Sequence, residues 1–189
     1  MATTQAVPPV TSDDLEDAER YEAGRKEALV AMNRHKNARR IALADDISLL
    51  FEDRRTLKHQ VQEMVRMESD TVDEVLKHYT DLQPDPRDLV ATLFVEVQRS
   101  EEIRPRLSHY AGIERSIRLR IGDLTVKATP VGDFGDDQAA TAVTYMRFRL
   151  PDEAWDRLPT TEVVLDHPNA KATVPLPDAV VADPHGVRS

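Results

Sequence analysis

His59 and Glu63 lie four residues apart, and on a helix that spacing sets an imidazole and a carboxylate on one face, one turn from each other. Such a pair can share a divalent metal ion, with iron, manganese or zinc as the candidates, as in helical carboxylate proteins. Glu52 upstream and Glu68 downstream can add oxygen ligands. No H-E-x-x-H or repeated E-x-x-H accompanies the pair, and the same letters also describe a solvated helix face with an intrahelical His–Glu contact. A second reading takes Gln60, Glu63, Arg66 and Glu68 as a polar pocket or an interface, with His59, Gln62 and Met67 nearby. A polar group beside a core face must be paired if it is buried. Against that stands ordinary helix-surface chemistry, in which Arg54, Arg55 and Arg66 balance Glu52, Asp53 and Glu63.

Other chemistry-bearing residues are thinner. His109-Tyr110 precedes Gly112 in a connecting segment, without a nucleophile at a useful spacing. In His78-Tyr79 the tyrosine belongs to an apolar stripe and the histidine faces away. The run Arg34–Arg40, RHKNARR, suits a helix C-terminus, where cations complement the dipole, and lacks aromatic residues between its charges. Together with a net charge of −9, this argues against nucleic-acid binding. The chain has no cysteine, so thiolate catalysis, disulfides and protein-held iron–sulfur clusters are excluded. It also lacks G-x-S-x-G, P-loop and G-x-G-x-x-G patterns. The letters Asp133-Phe134-Gly135 stand without the other kinase motifs.

The elements that must position these residues can be read from periodicity. Thr11 and Asp14 fit a cap opening a long helix, acidic at its start and basic towards Arg39 and Arg40. Residues 40–52 switch to period two, with Ile41 and Leu43, then Ile47, Leu49 and Phe51, around an Ala44-Asp45-Asp46 turn: a β-hairpin. Asp53 caps a helix over 54–68 whose core face is Leu57, Val61, Met64 and Val65. Val72, Val75, Leu76, Tyr79 and Leu82 mark another helix, ended by Pro84 and Pro86. Leu89–Val97 is apolar on both alternating faces except at Thr92 and Glu96, as in a central strand covered on both sides.

A short helix over 101–107, a hairpin turning at Gly122-Asp123, a strand over 141–150 and a last hairpin around His167-Pro168-Asn169 follow. The expected fold is α+β: a long N-terminal helix, a β-hairpin, two further helices and a mostly antiparallel mixed sheet of about seven or eight strands. Residues 1–10 read as a mobile tail, 11–175 as a single α+β domain, and 176–189 as a proline-rich frayed tail. The N-terminus has neither the basic nor the apolar region of a secretory signal, and no apolar run is long enough to span a bilayer, so a cytoplasmic protein is expected.

The segments Arg39-Arg-Ile-Ala-Leu43, Leu49-Leu-Phe-Glu-Asp-Arg54 and Gln60-Val-Gln-Glu-Met-Val-Arg-Met-Glu68, with Ala91-Thr-Leu-Phe-Val-Glu96 and Gly112-Ile113, resemble an uncharacterised bacterial family catalogued as domain of unknown function 3501. The resemblance covers most of residues 12–150. Members of that family are often encoded beside rubrerythrin, a di-iron peroxide scavenger, and beside iron–sulfur proteins resembling heterodisulfide reductase or glycolate oxidase subunits. The resemblance therefore implies a non-enzymatic accessory protein of a redox or peroxide-defence system, with those proteins as partners and no catalytic residues to carry over. The alternatives are a small metal-binding protein or metal-dependent enzyme using the 54–68 helix, and an apolar small-molecule binder enclosed by sheet and helices. A homo-oligomer is compatible with each.

Overall fold

A computed structural model describes residues 7–67, 71–83, 85–132 and 134–187. Its strands are β1 (Arg40–Ala44), β2 (Ile47–Glu52), β3 (Asp88–Val95), β4 (Ile117–Ile121), β5 (Leu124–Lys127), β6 (Thr129–Val131), β7 (Val143–Arg149), β8 (Thr161–His167) and β9 (Ala170–Pro175). Its α-helices are α1 (Ala18–Ala38), α2 (Arg54–Met67), α3 (Val72–His78), α4 (Ile103–His109) and α5 (Asp178–Ala182). The strands form a five-stranded sheet, β1-β2-β3-β7-β6, and a four-stranded sheet, β5-β4-β8-β9, with every pairing antiparallel. The α+β class expected from sequence is the one observed. The single mixed sheet is not: there are two sheets and nine strands among the described residues. The added strand, β6, contains Pro130, which period and composition argue against; it is accommodated because β6 is an edge strand, where a missing N–H costs no ladder bond.

Alternation divides the side chains of the larger sheet between two cores. Ile47, Leu49 and Phe51 of β2, Leu89, Ala91 and Leu93 of β3, and Met146 and Phe148 of β7 point to the other sheet, where Ile117, Leu119, Ile121, Val163 and Leu165 meet them. Only Ala128 separates β5 from β6, and β1 runs within 8 Å, Cα to Cα, of β9, so the sheets meet at both edges and close a flattened, barrel-like sandwich. The opposite face of the larger sheet is covered by helices. Leu57 and Val61 of α2, Val75 of α3, and Tyr79 and Leu82 beyond it make a second core over Val90. These are the positions that helical period marks on each segment.

Both ends of the chain depart from the sequence expectation. The Thr11–Asp14 pair caps only one 3₁₀ turn, Ser12–Asp14; α1 starts at Ala18, with the Asp17 carboxylate accepting from the Arg20 N–H at 2.9 Å. Within the stretch expected to be a mobile tail, residues 1–6 lie outside the described residues, whereas Val7 and Val10 are buried and Gln83 bonds both the N–H and the carbonyl of Val10. The segment expected to fray after Pro175 forms α5 instead, with Leu176 and Val180 in the main core. Proline content alone misleads here, because two apolar side chains and a buried ion pair hold the segment down.

That ion pair is the structural hub. Arg39, 1% exposed, donates to Phe51 O at 3.0 Å, to Asp183 O at 2.8 Å and to Pro184 O at 2.8 Å, which satisfies the carbonyls that follow α5. Its charge faces Asp53 Oδ2 at 3.4 Å, and the same oxygen accepts from His35 Nε2 at 2.7 Å. Asp53 also caps α2 through the Thr56 N–H at 2.9 Å, as its sequence position indicates. Gly186, at φ +68°, lies so close that an added Cβ would stand 2.7 Å from the Asp53 carboxylate. Burial works to raise the Asp53 pKa, but the His35 bond, the Arg39 charge and the Thr56 N–H outweigh it and hold the carboxyl below its ordinary 3.8. A group depressed in the folded state stabilises fully above its unfolded value and loses that contribution as pH falls through the folded value. Asp53→Asn is therefore expected to cost about 3 kcal/mol near neutral pH, because Arg39 stays buried without its counter-charge. In paired denaturant titrations, the gap between wild type and variant should narrow once the pH drops below 3.8. Gly186→Ala should loosen residues 178–187 in hydrogen exchange by about 1 kcal/mol or more, from the left-handed backbone and the contact together.

Candidate functional site

Between α2 and the outer face of the larger sheet lies a cleft of about 410 Å³. Strand register builds its floor. Arg40 pairs with Leu50, Leu50 with Thr92 and Thr92 with Tyr145, so one row of side chains crosses four strands. Phe94 and Val143 form the next row on one side, and Glu52 stands on the other. The roof comes from α2, through His59, Gln60, Glu63 and Met64, at helical spacing. Tyr79, the C-cap of α3, and Lys36, in the last turn of α1, complete the walls.

The polar groups are individually placed. Gln60 Nε2 donates to Tyr145 Oη at 2.8 Å, and Thr92 Oγ1 donates to Glu52 Oε1 at 2.5 Å. Burial, with the nearby Glu52 charge, pushes the Tyr145 phenol up despite the Gln60 bond, so it stays protonated. The Gln60–Tyr145 pair keeps at least one donor free for the cleft, whichever way the amide is oriented. Glu63 is fully engaged elsewhere: Arg25 grips it through Nε at 2.8 Å and Nη2 at 2.7 Å, and the Tyr21 hydroxyl donates at 2.6 Å. Those partners, Arg25 first, bring its carboxyl down to about 2 against the effect of burial. Burial, and then the Lys36 charge, lower the His59 pKa, which favours a neutral imidazole in the cleft.

Of the sequence-selected residues, Glu52, His59, Gln60 and Glu63 therefore meet in one cleft. Arg66 does not: it is exposed and pairs with Glu22 on α1 at 2.9 Å. Glu68 lies outside the described residues. Glu63 is bound to Arg25 and Tyr21, and among the described residues no group of three or more His, Cys, Asp or Glu side chains is arranged to hold a metal ion. Tyr110, from the second His–Tyr pair, is a core residue whose hydroxyl donates to Asp46 at 2.8 Å, and His78 is exposed. The basic run divides three ways: Arg34 is exposed, Arg39 is buried in the hub, and Lys36 and Arg40 face the cleft. Lys36 and Arg40 entered the sequence reading only as members of the basic run, and Phe94, Val143 and Tyr145 were not singled out as site residues. The one available signal was Thr92, a polar residue interrupting a doubly buried strand.

The helix that supplies Lys36 is held to α2 by polar bonds. Besides Arg25–Glu63 and Arg66–Glu22, Gln62 exchanges two bonds with the Glu16 backbone, at 2.8 and 3.0 Å, and Arg54 pairs with Asp14 at 2.6 Å. Tyr21 is the one buried residue on α1. Glu63→Gln is expected to loosen α1 by about 1–3 kcal/mol, seen as faster exchange of α1 amides with little change in those of β3. Because the Glu63 carboxyl is depressed, the same loosening should appear in wild type as pH falls from about 4.5 towards about 2.

Among the described residues, no helix is long and apolar enough to cross a membrane. No curated protein matches the chain. A crystal structure of a novel protein of unknown function from Burkholderia pseudomallei K96243 is similar, at 29% sequence identity and a TM-score of 0.82, over 92% of this chain and 96% of that one. The family model described as "Protein of unknown function (DUF3501)" matches residues 9–184, and the chain belongs to that family.

Proposed function

We propose that the protein is a small-molecule binder and that its ligand occupies the cleft between α2 and the larger sheet. The observation that carries this reading is convergence. Side chains from α1, β1, β2, α2, β3 and β7 meet around about 410 Å³, apolar at Leu50, Met64, Phe94 and Val143 and polar at a few fixed points. That size and mixture match ordinary ligand sites, where apolar walls supply affinity and a few polar groups set orientation. Binding without catalysis is the simplest activity such a lining supports, since among the described residues no nucleophile is hydrogen-bonded to His59.

The accessory role in a redox or peroxide-defence system, with rubrerythrin and an iron–sulfur reductase-like protein as partners, draws its support from the gene neighbourhood that the family resemblance implies. The two readings combine if the cleft reports a ligand to that system. Among the described residues, the exposed large apolar side chains outside the cleft are scattered, Val30, Met67 and Ile103 on three different helices and Phe134 in the loop between β6 and β7, which favours the cleft over a broad apolar docking face.

Native mass spectrometry of protein purified under mild conditions should show a co-purified species, or a metabolite-library screen should show one that raises the melting temperature. Val143, 45% exposed at the rim, is the position at which to block entry. Val143→Trp is expected to abolish that binding while leaving the unliganded melting temperature within about 2 °C. Tyr145→Phe should weaken it by roughly tenfold through loss of one hydrogen bond. Binding that survives Val143→Trp unchanged would place the ligand elsewhere.

A further inference from the structure

We propose that the cleft's ligand is a carboxylic acid with an apolar body, its carboxylate gripped by Arg40 and Lys36 and its far end at the Gln60–Tyr145 pair. This deepens the binding reading above and rests on it. Arg40 is already held in place: its guanidinium lies over the Phe94 ring, 4.5 Å from the centroid, and Nη1 donates to Ser48 Oγ at 3.0 Å, with Glu96 at 3.5 Å. The Nε and Nη2 edge makes no hydrogen bond among the described residues. That edge is a planar fork whose spacing matches the two oxygens of a carboxylate, and the stacked ring has already removed much of the side chain's freedom. Lys36, half-buried beside it, has no hydrogen-bond or ion-pair partner among the described residues. A cation left unpaired in a partly apolar cleft favours a ligand that supplies the missing charge.

The negative groups of the cleft fix which end the acid takes. Glu63 is covered by Arg25 and Tyr21, so it neither repels an anion strongly nor offers a free acceptor. Glu52 on β2 is bonded to Thr92 and near enough to Tyr145 to oppose a carboxylate beside that phenol, whereas Glu96, at the Arg40 end, is already engaged by Ser48 Oγ and Arg40 Nη1. The acid therefore belongs at the Arg40 end, where an N–H of neutral His59 adds a donor without adding charge. From Arg40 on β1 to Tyr145 on β7 is three strand spacings, about 14 Å between backbones. The Arg40 guanidinium reaches over Phe94 on β3, so the apolar body lies against Phe94 and Val143 on its way to the second polar end.

The test uses the full chain, amide NMR, and four probes: phenylpropanoate, octanoate and the neutral amide of each. The acids are expected to shift amides near Arg40, Phe94 and Val143 and to saturate at millimolar concentration or below. The amides should bind about tenfold or more weakly, and Arg40→Gln should erase that difference. Lys36→Gln, in the last turn of α1, serves as the second variant and should reduce the preference in part. Amides binding as tightly as the acids, or acids shifting only residues outside the cleft, would overturn the carboxylate assignment and leave the cleft reading standing. Silence of every cleft amide towards all four probes, together with a Val143→Trp variant that retains its co-purified ligand, would overturn both.

Discussion

One buried ion pair, Arg39 with Asp53, holds together three distant parts of the chain at a single point. Arg39 follows α1, Asp53 caps α2, and the carbonyls that Arg39 satisfies belong to the segment after α5, more than 140 positions downstream. Taking both charges out of water is expensive, and their attraction offsets that cost only because every remaining donor and acceptor finds a partner: His35, Thr56, Phe51 O, Asp183 O and Pro184 O. The result is rigidity at a chosen point more than net stability. Glu52, the residue before Asp53, stands in the cleft floor, and Arg40, the residue after Arg39, stands in its wall. The hub thus sets the position of two cleft residues through the backbone alone.

The cleft itself follows from a sheet with two faces to cover. One face of β2, β3 and β7 packs against the second sheet as an uninterrupted apolar surface. On the other face, α2 and α3 cover the end near Val90, but Leu50, Thr92, Phe94 and Val143 extend past them. Two helices over a five-stranded sheet leave part of its outer face bare, and polar residues appear where the cover stops. Thr92 donates to one Glu52 oxygen and Tyr145 accepts from Gln60, while the other Glu52 oxygen is buried without a hydrogen-bond partner among the described residues.

What the sequence made legible was local. The faces of α2 and α3, the doubly buried β3, the cap at Asp53, and the hairpin at Gly122 each rest on side chains within about ten residues of one another. The convergence of Glu52, His59, Gln60 and Glu63 was also within reach, since all four belong to one strand-to-helix segment. Tyr145 was not: its place opposite Gln60 depends on the β3–β7 register, set 85 positions away. Arg39 hid for a different reason. At the end of a basic run it satisfies every rule for a solvated helix terminus, and only the α5 segment, itself obscured by prolines, reveals that it is buried.

The way α1 is attached gives its seam with α2 a thermal character that differs from that of the fold. The first half of α1 is tied to α2 by ion pairs, and Tyr21 is the one side chain of the helix that is fully buried. The heat-capacity change of opening that seam is the smaller one, because that quantity follows apolar area, whereas unfolding of the sandwich exposes the whole main core and carries a large one. The stability of the fold must therefore curve with temperature, with a maximum and a decline on either side, while the seam between the first half of α1 and α2 varies more nearly linearly and responds to ionic strength. Cold and salt act on different parts of the same molecule: cold reaches the sandwich, and salt reaches that seam, while the Lys36 end of α1 stays tied to the buried hub through His35.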